Sequence, residues 1–313
     1  MAYTLQLTVK KIEHETDTIK KFTFTSDEIP LPPFGAGAHV TLHLPMGKRQ
    51  YSLVNNPLEM KNEYVIAVKK ISDHNGGSGY LHECIGQGDN ISVSPPDNFF
   101  PLRTEAKHHV FFAAGIGITP FVSMMAYLKT IGRSFELHYA ASGERECAFH
   151  RHIQNHFRSK STFYFMKREE KIAKLKKALQ NRTMGTHIYL CGPPAFMDIL
   201  LEHSHKLRYP EKFIHEEQFQ PAVLIENPQP FFVNLVKTKK TFMVSSGQTL
   251  LDALHEIDIY VPYTCRMGVC GTCEVEIEEG DVVHCDSFLT EEEKVGNMLT
   301  CVSRGIGHIK LRL

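Results

Sequence analysis

The chain has 313 residues, more than one compact domain normally holds, so two or three domains are expected. Apolar residues make up 42% and charged residues 22%, proportions that build buried cores and exclude wholesale disorder. Lys plus Arg and Asp plus Glu number 35 each, so no overall field draws the chain to nucleic acid or an anionic membrane, and neither is expected as a partner.

From the N-terminus, "MAYTLQLTVKKIEHETDTIKKFTF" alternates apolar and polar residues and lacks the uninterrupted apolar run of a signal peptide. No window reaches the roughly 18 apolar residues that a membrane span needs. A cytoplasmic location is therefore the expectation. Up to about Phe100 the pattern is short strands with turn punctuation, "LQLTVKKI", "KKFTFTS", "HVTLHLP", "RQYSLV", "EYVIAVKKI" and "NISVSPP", which predicts a barrel or sandwich. From His109 to about Gln220, strands such as "HVFFAAG", "FELHYAAS" and "THIYLCGPP" alternate with apolar helices, the signature of a parallel sheet with covering helices. "QPAVLIENPQP" then breaks both periods with its prolines and reads as a linker. A small α+β unit follows, with "FFVNLVKT", "KTFMVSS", a helix over "TLLDALHEI", a cysteine loop and the closing strand "HIKLRL". The expected divisions are residues 1–104, 105–220, a linker over 221–229, and 230–313. No internal repeat is visible.

"CRMGVCGTC" places Cys265, Cys270 and Cys273 within nine residues, and Cys301 follows near the chain end. Eight cysteines with five of them crowded into the last fifth do not resemble the disulfide framework of a small secreted domain. The C-x4-C-x2-C spacing with a distant fourth thiol is the plant-type 2Fe-2S ligand pattern. Gly268 and Gly271 let the backbone curl around such a cluster with its N–H groups turned inward. Zinc is the competing reading, but a zinc ribbon would normally show two C-x2-C pairs. Cys285, in the polar turn "VVHCDS", competes with Cys301, on the apolar run "MLTCVS", for the fourth position, and Cys301 is the favoured choice.

In the middle segment, "AAGIGITP" sets Gly115 and Gly117 between a β-rich run and an apolar helix, where backbone can approach a pyrophosphate. Thr119 and Pro120 stand where a dinucleotide fingerprint would carry its third glycine, and Pro120 suits a first helical turn. A tight turn would explain the same residues. "YLCGPPAFM" places Cys191, Gly192 and Pro193 at a second strand end, so that two strand ends could hold one dinucleotide.

Through "RQYSL", "GIGITP", "LCGPP" and "CRMGVCGTC" the chain resembles, over nearly its whole length, the reductase components of Rieske-type oxygenases of the phthalate dioxygenase reductase kind. The resemblance implies a multidomain fold: an antiparallel β-barrel FMN domain, an α/β parallel-sheet nucleotide domain and an α+β plant-type ferredoxin domain. "HIYLCGPPAFM" and "RYPEKFIHEEQF" look nearest to the reductases of carnitine-type and related N-demethylating monooxygenases. Carried over, it implies that Arg49 meets the FMN phosphate, Tyr51 lies against the isoalloxazine, Ser52 bonds near N5, and Leu53 continues that strand. A guanidinium fork, an aromatic face and a hydroxyl suit those tasks. Gly76, Gly77 and Ser78 in "NGGSGYLH" resemble a second phosphate loop. Ala67 and Val68 match backbone contacts to the flavin edge, and Phe219 matches an aromatic returning to it. Cys191 would line the nicotinamide pocket.

The family pattern breaks at Ser142, where relatives commonly carry arginine. Glu144 could accept from a ribose 2′-hydroxyl, favouring NADH, whereas Arg145 with Ser142 could bind the 2′-phosphate of NADPH; the resemblance leans to NADH. His152 and His156 lie at i, i+4 without the third ligand of a metal site, and "KREEKIAKLKKALQ" reads as a solvated amphipathic helix. The implied activity is electron transfer from NADH or NADPH through FMN and a 2Fe-2S cluster to a terminal Rieske-type oxygenase, by a monomeric reductase. The absence from the sequence of a Rieske C-x-H or a non-haem iron triad favours a separate oxygenase. A self-sufficient diaphorase or ferric reductase is the alternative, and a redox sensor without turnover a third.

Overall fold

A computed structural model describes residues 4–27, 29–59, 62–71, 76–219, 225, 227–263 and 265–313. It divides into two compact units, residues 1–217 and 218–313. Among the described residues, no helix is long and apolar enough to cross a membrane.

The first unit begins with strands β1 (Leu5–Thr16), β2 (Ile19–Thr25), β3 (His39–Leu44), β4 (Gly47–Ser52), β5 (Glu63–Lys69) and β6 (Asn90–Val93), with helix α1 (Gly77–Glu83) between the last two. Alternation along β1 sends Leu5, Leu7 and Val9 inward, where they meet Phe22, Phe24, Val40 and Leu42. The strands pair in the order β4-β3-β6-β1-β2-β5. The two outer members then join, through a Leu53–Ile66 bridge and a 2.9 Å bond from Val54 N to the Val65 carbonyl. Closure removes the free edges and makes a barrel. Leu81 of α1 sits in its core.

Strands β7 (His108–Ala114), β8 (Phe135–Ala140), β9 (Ser161–Tyr164), β10 (Thr186–Cys191) and β11 (Ile214–Glu217) follow, with helices α2 (Thr119–Thr130), α3 (His150–Phe157), α4 (Arg168–Ala178) and α5 (Pro194–Lys206) between them. All pair in parallel, in the order β11-β10-β7-β8-β9. Every residue of β10 is buried, as a strand covered on both faces requires. The winding reverses between β7 and β10, which opens a crevice at their carboxyl ends. Within this unit the barrel packs on the sheet: Ser123 Oγ donates to the Asn55 carbonyl at 2.9 Å and Arg103 N to the Tyr189 hydroxyl at 2.8 Å. The expected division between residues 104 and 105 falls in the connection from β6 to β7.

The second unit carries β12 (Phe231–Leu235), β13 (Thr241–Val244), helix α6 (Leu250–Glu256), β14 (Glu274–Glu279), β15 (Val282–Val283), β16 (Asn297–Leu299), β17 (Arg304–Gly305) and β18 (His308–Leu311). Its main sheet runs β13-β12-β18-β14-β16, with α6 contributing Leu250, Leu251 and Leu254 to the core beneath. Of the expected linker over 221–229, residues 221–224 and 226 lie outside the described residues, as does Asn75 of the glycine loop.

Candidate functional site

Three groups of side chains stand out, and the barrel holds the first. Arg49, Tyr51 and Ser52 lie on β4, with Leu53 fully buried just beyond it. Burial pushes the Tyr51 phenol up to about 12, against the opposing charge of Arg49. Gly77, at the start of α1, lies so close to Arg49 that a Cβ there would meet Arg49 Cγ at 2.7 Å. The glycine loop and the arginine, distant in sequence, thus share one corner of the barrel. Arg49 spends one donor on the Lys48 carbonyl at 2.8 Å, and Ser78 Oγ accepts from Ile71 N at 3.2 Å. Ala67 and Val68 are buried on β5, and the His82 ring lies 2.8 Å from the Val68 carbonyl.

The second group flanks the crevice between β7 and β10. Gly115 has φ +56, and Gly117 is pressed against the other strand end: a Cβ there would lie 2.3 Å from the Cys191 carbonyl oxygen. Only glycine allows that approach. Gly192 packs on Ala114 and Phe196, Thr119 Oγ1 donates to the Ile116 carbonyl at 3.0 Å, and Pro120 occupies the first turn of α2. A cavity of about 420 Å³ opens here; Gly115, Ser142 and Pro193 line it, while Gly117, Thr119, Pro120, Arg145, Cys191 and Gly192 do not. Cys191 is wholly buried, and burial raises its thiol well above the ordinary range, with Glu217 adding to the rise.

Glu217 escaped the sequence reading, because "HEEQF" resembles a solvated acidic pair. Parallel pairing of β10 with β11 sets it opposite Cys191, and Ser52 Oγ donates to its Oε2 at 3.5 Å. It therefore links the barrel strand to the crevice. Burial pushes its carboxyl up to about 8, against the Ser52 hydrogen bond. Arg168 and Lys171, both on α4 and both lining the cavity, also escaped. Phe219 is half-buried, two residues beyond Glu217.

The third group is the cysteine loop of the second unit. Cys273 and Cys301 are buried side by side, and their mutual interaction lowers the Cys273 thiol and drives Cys301 upward. Cys265 and Cys270 are half-buried and form a second such pair. Cys265 also acts electrostatically on Cys301, so the pairs are neighbours. Met267 N and Thr272 Oγ1 donate to the sulfurs of Cys265 and Cys270, each at 3.3 Å. Gly268 and Gly271 have φ of +74 and +73, the left-handed turns that bend the loop around its sulfurs. Among the described residues, no three His, Cys, Asp or Glu side chains gather as a single-ion site. Two thiol pairs fit two irons better than one zinc. Cys285, also buried, directs its sulfur to the Val283 carbonyl at 3.9 Å, and its electrostatic neighbours are Asp286 and Arg304 rather than the paired thiols.

Comparison with known proteins agrees with this layout. Residues 233–304 match the family model of the 2Fe-2S iron-sulfur cluster binding domain, and residues 90–214 match that of the N-terminal domain of dimethylamine monooxygenase subunit DmmA-like proteins. The chain is 38% identical to the heme-dependent oxidative N-demethylase beta subunit of Ectopseudomonas mendocina, over 98% of each chain. It is 36% identical to the carnitine monooxygenase reductase subunit of Acinetobacter pittii, over 95% of this chain and 98% of the relative. The structure of phthalate dioxygenase reductase, described as a modular structure for electron transfer from pyridine nucleotides to 2Fe-2S, superposes with a TM-score of 0.91 at 32% identity, over 99% of this chain and 98% of that one. The kinship with carnitine-type and N-demethylating systems expected from "HIYLCGPPAFM" and "RYPEKFIHEEQF" is found. By identity spread along its full length, the chain belongs to the phthalate dioxygenase reductase-like family of oxygenase reductase subunits.

Proposed function

We propose that the chain oxidises NADH or NADPH in the crevice between β7 and β10, holds FMN at the barrel face bearing Arg49, Tyr51 and Ser52, and delivers electrons through a 2Fe-2S cluster to a separate oxygenase. The observation that carries this reading is Ser52 reaching Glu217 at 3.5 Å, which couples the barrel strand to the carboxyl ends of the parallel sheet. When bound, a flavin exchanges two electrons with a nicotinamide and single electrons with a plant-type cluster near about −400 mV.

The chain's own residues would bind and position these groups. Arg49 would neutralise the flavin phosphate, with Gly76, Gly77 and Ser78 offering N–H and hydroxyl donors; Tyr51 would cover one face of the ring, and Leu53, Ala67 and Val68 would complete its surroundings. Gly115, Gly117, Thr119, Pro120, Gly192 and Pro193 would shape the diphosphate path, with Ser142 and Arg145 on the adenosine side. Glu217 holds a proton at neutral pH and accepts from Ser52 Oγ, so the Ser52 hydroxyl keeps a fixed direction. Cys191, uncharged at that pH, would present a small apolar wall rather than a nucleophile. Cys265 with Cys270, and Cys273 with Cys301, would each hold one iron.

The chain would act as a monomer in the cytoplasm, with no nucleic-acid or membrane partner. Kinship offers two assignments for the oxygenase: a Rieske type, by the resemblance to phthalate dioxygenase reductase, or a heme-dependent N-demethylase. The second reading is favoured by the 38% identity to the Ectopseudomonas mendocina subunit. The cofactor set is tested by purifying the protein with its cofactors: about two irons, two sulfides and one FMN per chain are expected. Cys301→Ser should abolish the paramagnetic signal of the reduced cluster while Cys285→Ser retains it. Zinc in place of iron, or the reverse cysteine result, would contradict the assignment.

A further inference from the structure

The cavity at the ends of β7, β8 and β10 is built asymmetrically. Its apolar lining includes Ile172 and Leu175 of α4 with Phe196 and Leu200 of α5. Its polar lining includes Ser142, Lys69, Arg168 and Lys171 against one carboxylate, Glu146. At about 420 Å³ it has the size of a small-ligand pocket, and its apolar lining suits a planar base.

Resting on the pyridine-nucleotide reading above, we infer that this cavity takes an adenosine bearing a 2′-phosphate, that the chain prefers NADPH, and that Arg168 and Lys171 set the preference. A ribose diol is recognised by a carboxylate that accepts from its hydroxyls, whereas a 2′-phosphate calls for a guanidinium, an ammonium and a hydroxyl. Glu144, the acceptor that the sequence offered for NADH, does not line the cavity and pairs with His150 Nδ1 at 3.2 Å. Arg145, the cation that the sequence offered, does not line it either. Two residues of α4 stand in its place. Among the described residues, the Arg168 guanidinium and the Ser142 hydroxyl have no hydrogen-bond or ion-pair partner, so both are available to a ligand. Lys171 Nζ donates to the Ala141 carbonyl at 2.7 Å, which holds the ammonium at the end of β8 with donors to spare. Three cations, Lys69, Arg168 and Lys171, and a single carboxylate, Glu146, line the cavity, a balance of charge that favours a dianion over neutral hydroxyls.

The experiment uses the holoprotein with two probes, adenosine 2′,5′-bisphosphate and 5′-AMP, titrated by calorimetry, alongside kcat/KM for NADPH and NADH. The bisphosphate should bind at least about tenfold more tightly than 5′-AMP, and Arg168→Gln or Lys171→Gln should each cut that ratio by about tenfold. The NADPH to NADH ratio of kcat/KM should fall in parallel. Equal binding of the two probes, or an NADH preference that Glu146→Gln alters and Arg168→Gln does not, would overturn the inference and leave the nucleotide site standing. Binding of neither probe would remove the nucleotide site and the inference with it.

Discussion

Glu217 shows what a single residue gains from its setting. The folded chain keeps its proton up to about pH 8, whereas an ordinary glutamate at 4.5 releases it much earlier. Between those values the unfolded chain binds fewer protons than the folded one, so this group's contribution to stability is present below about 4.5 and is lost as pH rises toward 8. Glu217→Gln keeps an acceptor for Ser52 and removes the titration. Urea unfolding at pH 5 and pH 8.5 should then show the variant gaining stability over the parent mainly at the higher pH. A gain equal at both values would mean that Glu217 titrates as an exposed acid. The spacing of Cys265, Cys270 and Cys273 limits their chemistry in the sequence itself, whereas Cys301 is preferred to Cys285 as the proposed fourth ligand by its apolar surroundings. Glu217 was not legible there, since its burial comes from pairing with β10, whose strand lies more than twenty residues away in the chain.

At the scale of elements, α6 and the cysteine loop are fastened by one carboxylate. Thr249 caps the helix by accepting from Asp252 N at 3.1 Å, and its hydroxyl lies 2.8 Å from Asp252 Oδ2. The other oxygen, Asp252 Oδ1, accepts from Arg266 Nη1 at 2.9 Å, while the guanidinium rests 4.4 Å from the centre of the Tyr263 ring. Both side chains of this pair are about nine-tenths buried. Asp252→Asn would leave Arg266 charged and poorly compensated, a loss of about 3 kcal/mol. Denaturant unfolding of the second unit's transition, followed by the visible absorbance of the cluster, would measure it; an unchanged midpoint would show that the pair is dispensable. Helices α2, α5 and α6 were readable from apolar spacing and from Pro120 and Thr249 at their starts. The closure of the barrel was not readable, because the Leu53–Ile66 bridge depends on two strand edges meeting only after the whole sheet has curled. Helix α4 was seen as a helix, but its Arg168 and Lys171 were taken with the solvated face; only the position of α4 beside α5 turns them toward a cavity.

Across the whole molecule, the barrel and the nucleotide crevice occupy the first unit and the cluster loop the second, so electrons would pass from nicotinamide to flavin within one unit and leave through the other. The central claim is that the cluster is their exit. Cys273→Ser tests it most directly, because that thiol belongs to one of the two pairs and lies far in sequence from the flavin and nucleotide residues. With NADPH or NADH as donor, the variant is expected to reduce ferricyanide at close to the parent rate, since a flavin serves that acceptor directly. Its reduction of cytochrome c, and turnover of the partner oxygenase, should fall by about tenfold or more. Cytochrome c reduction retained in full by a variant lacking the cluster signal would contradict the account and leave a self-sufficient diaphorase in its place.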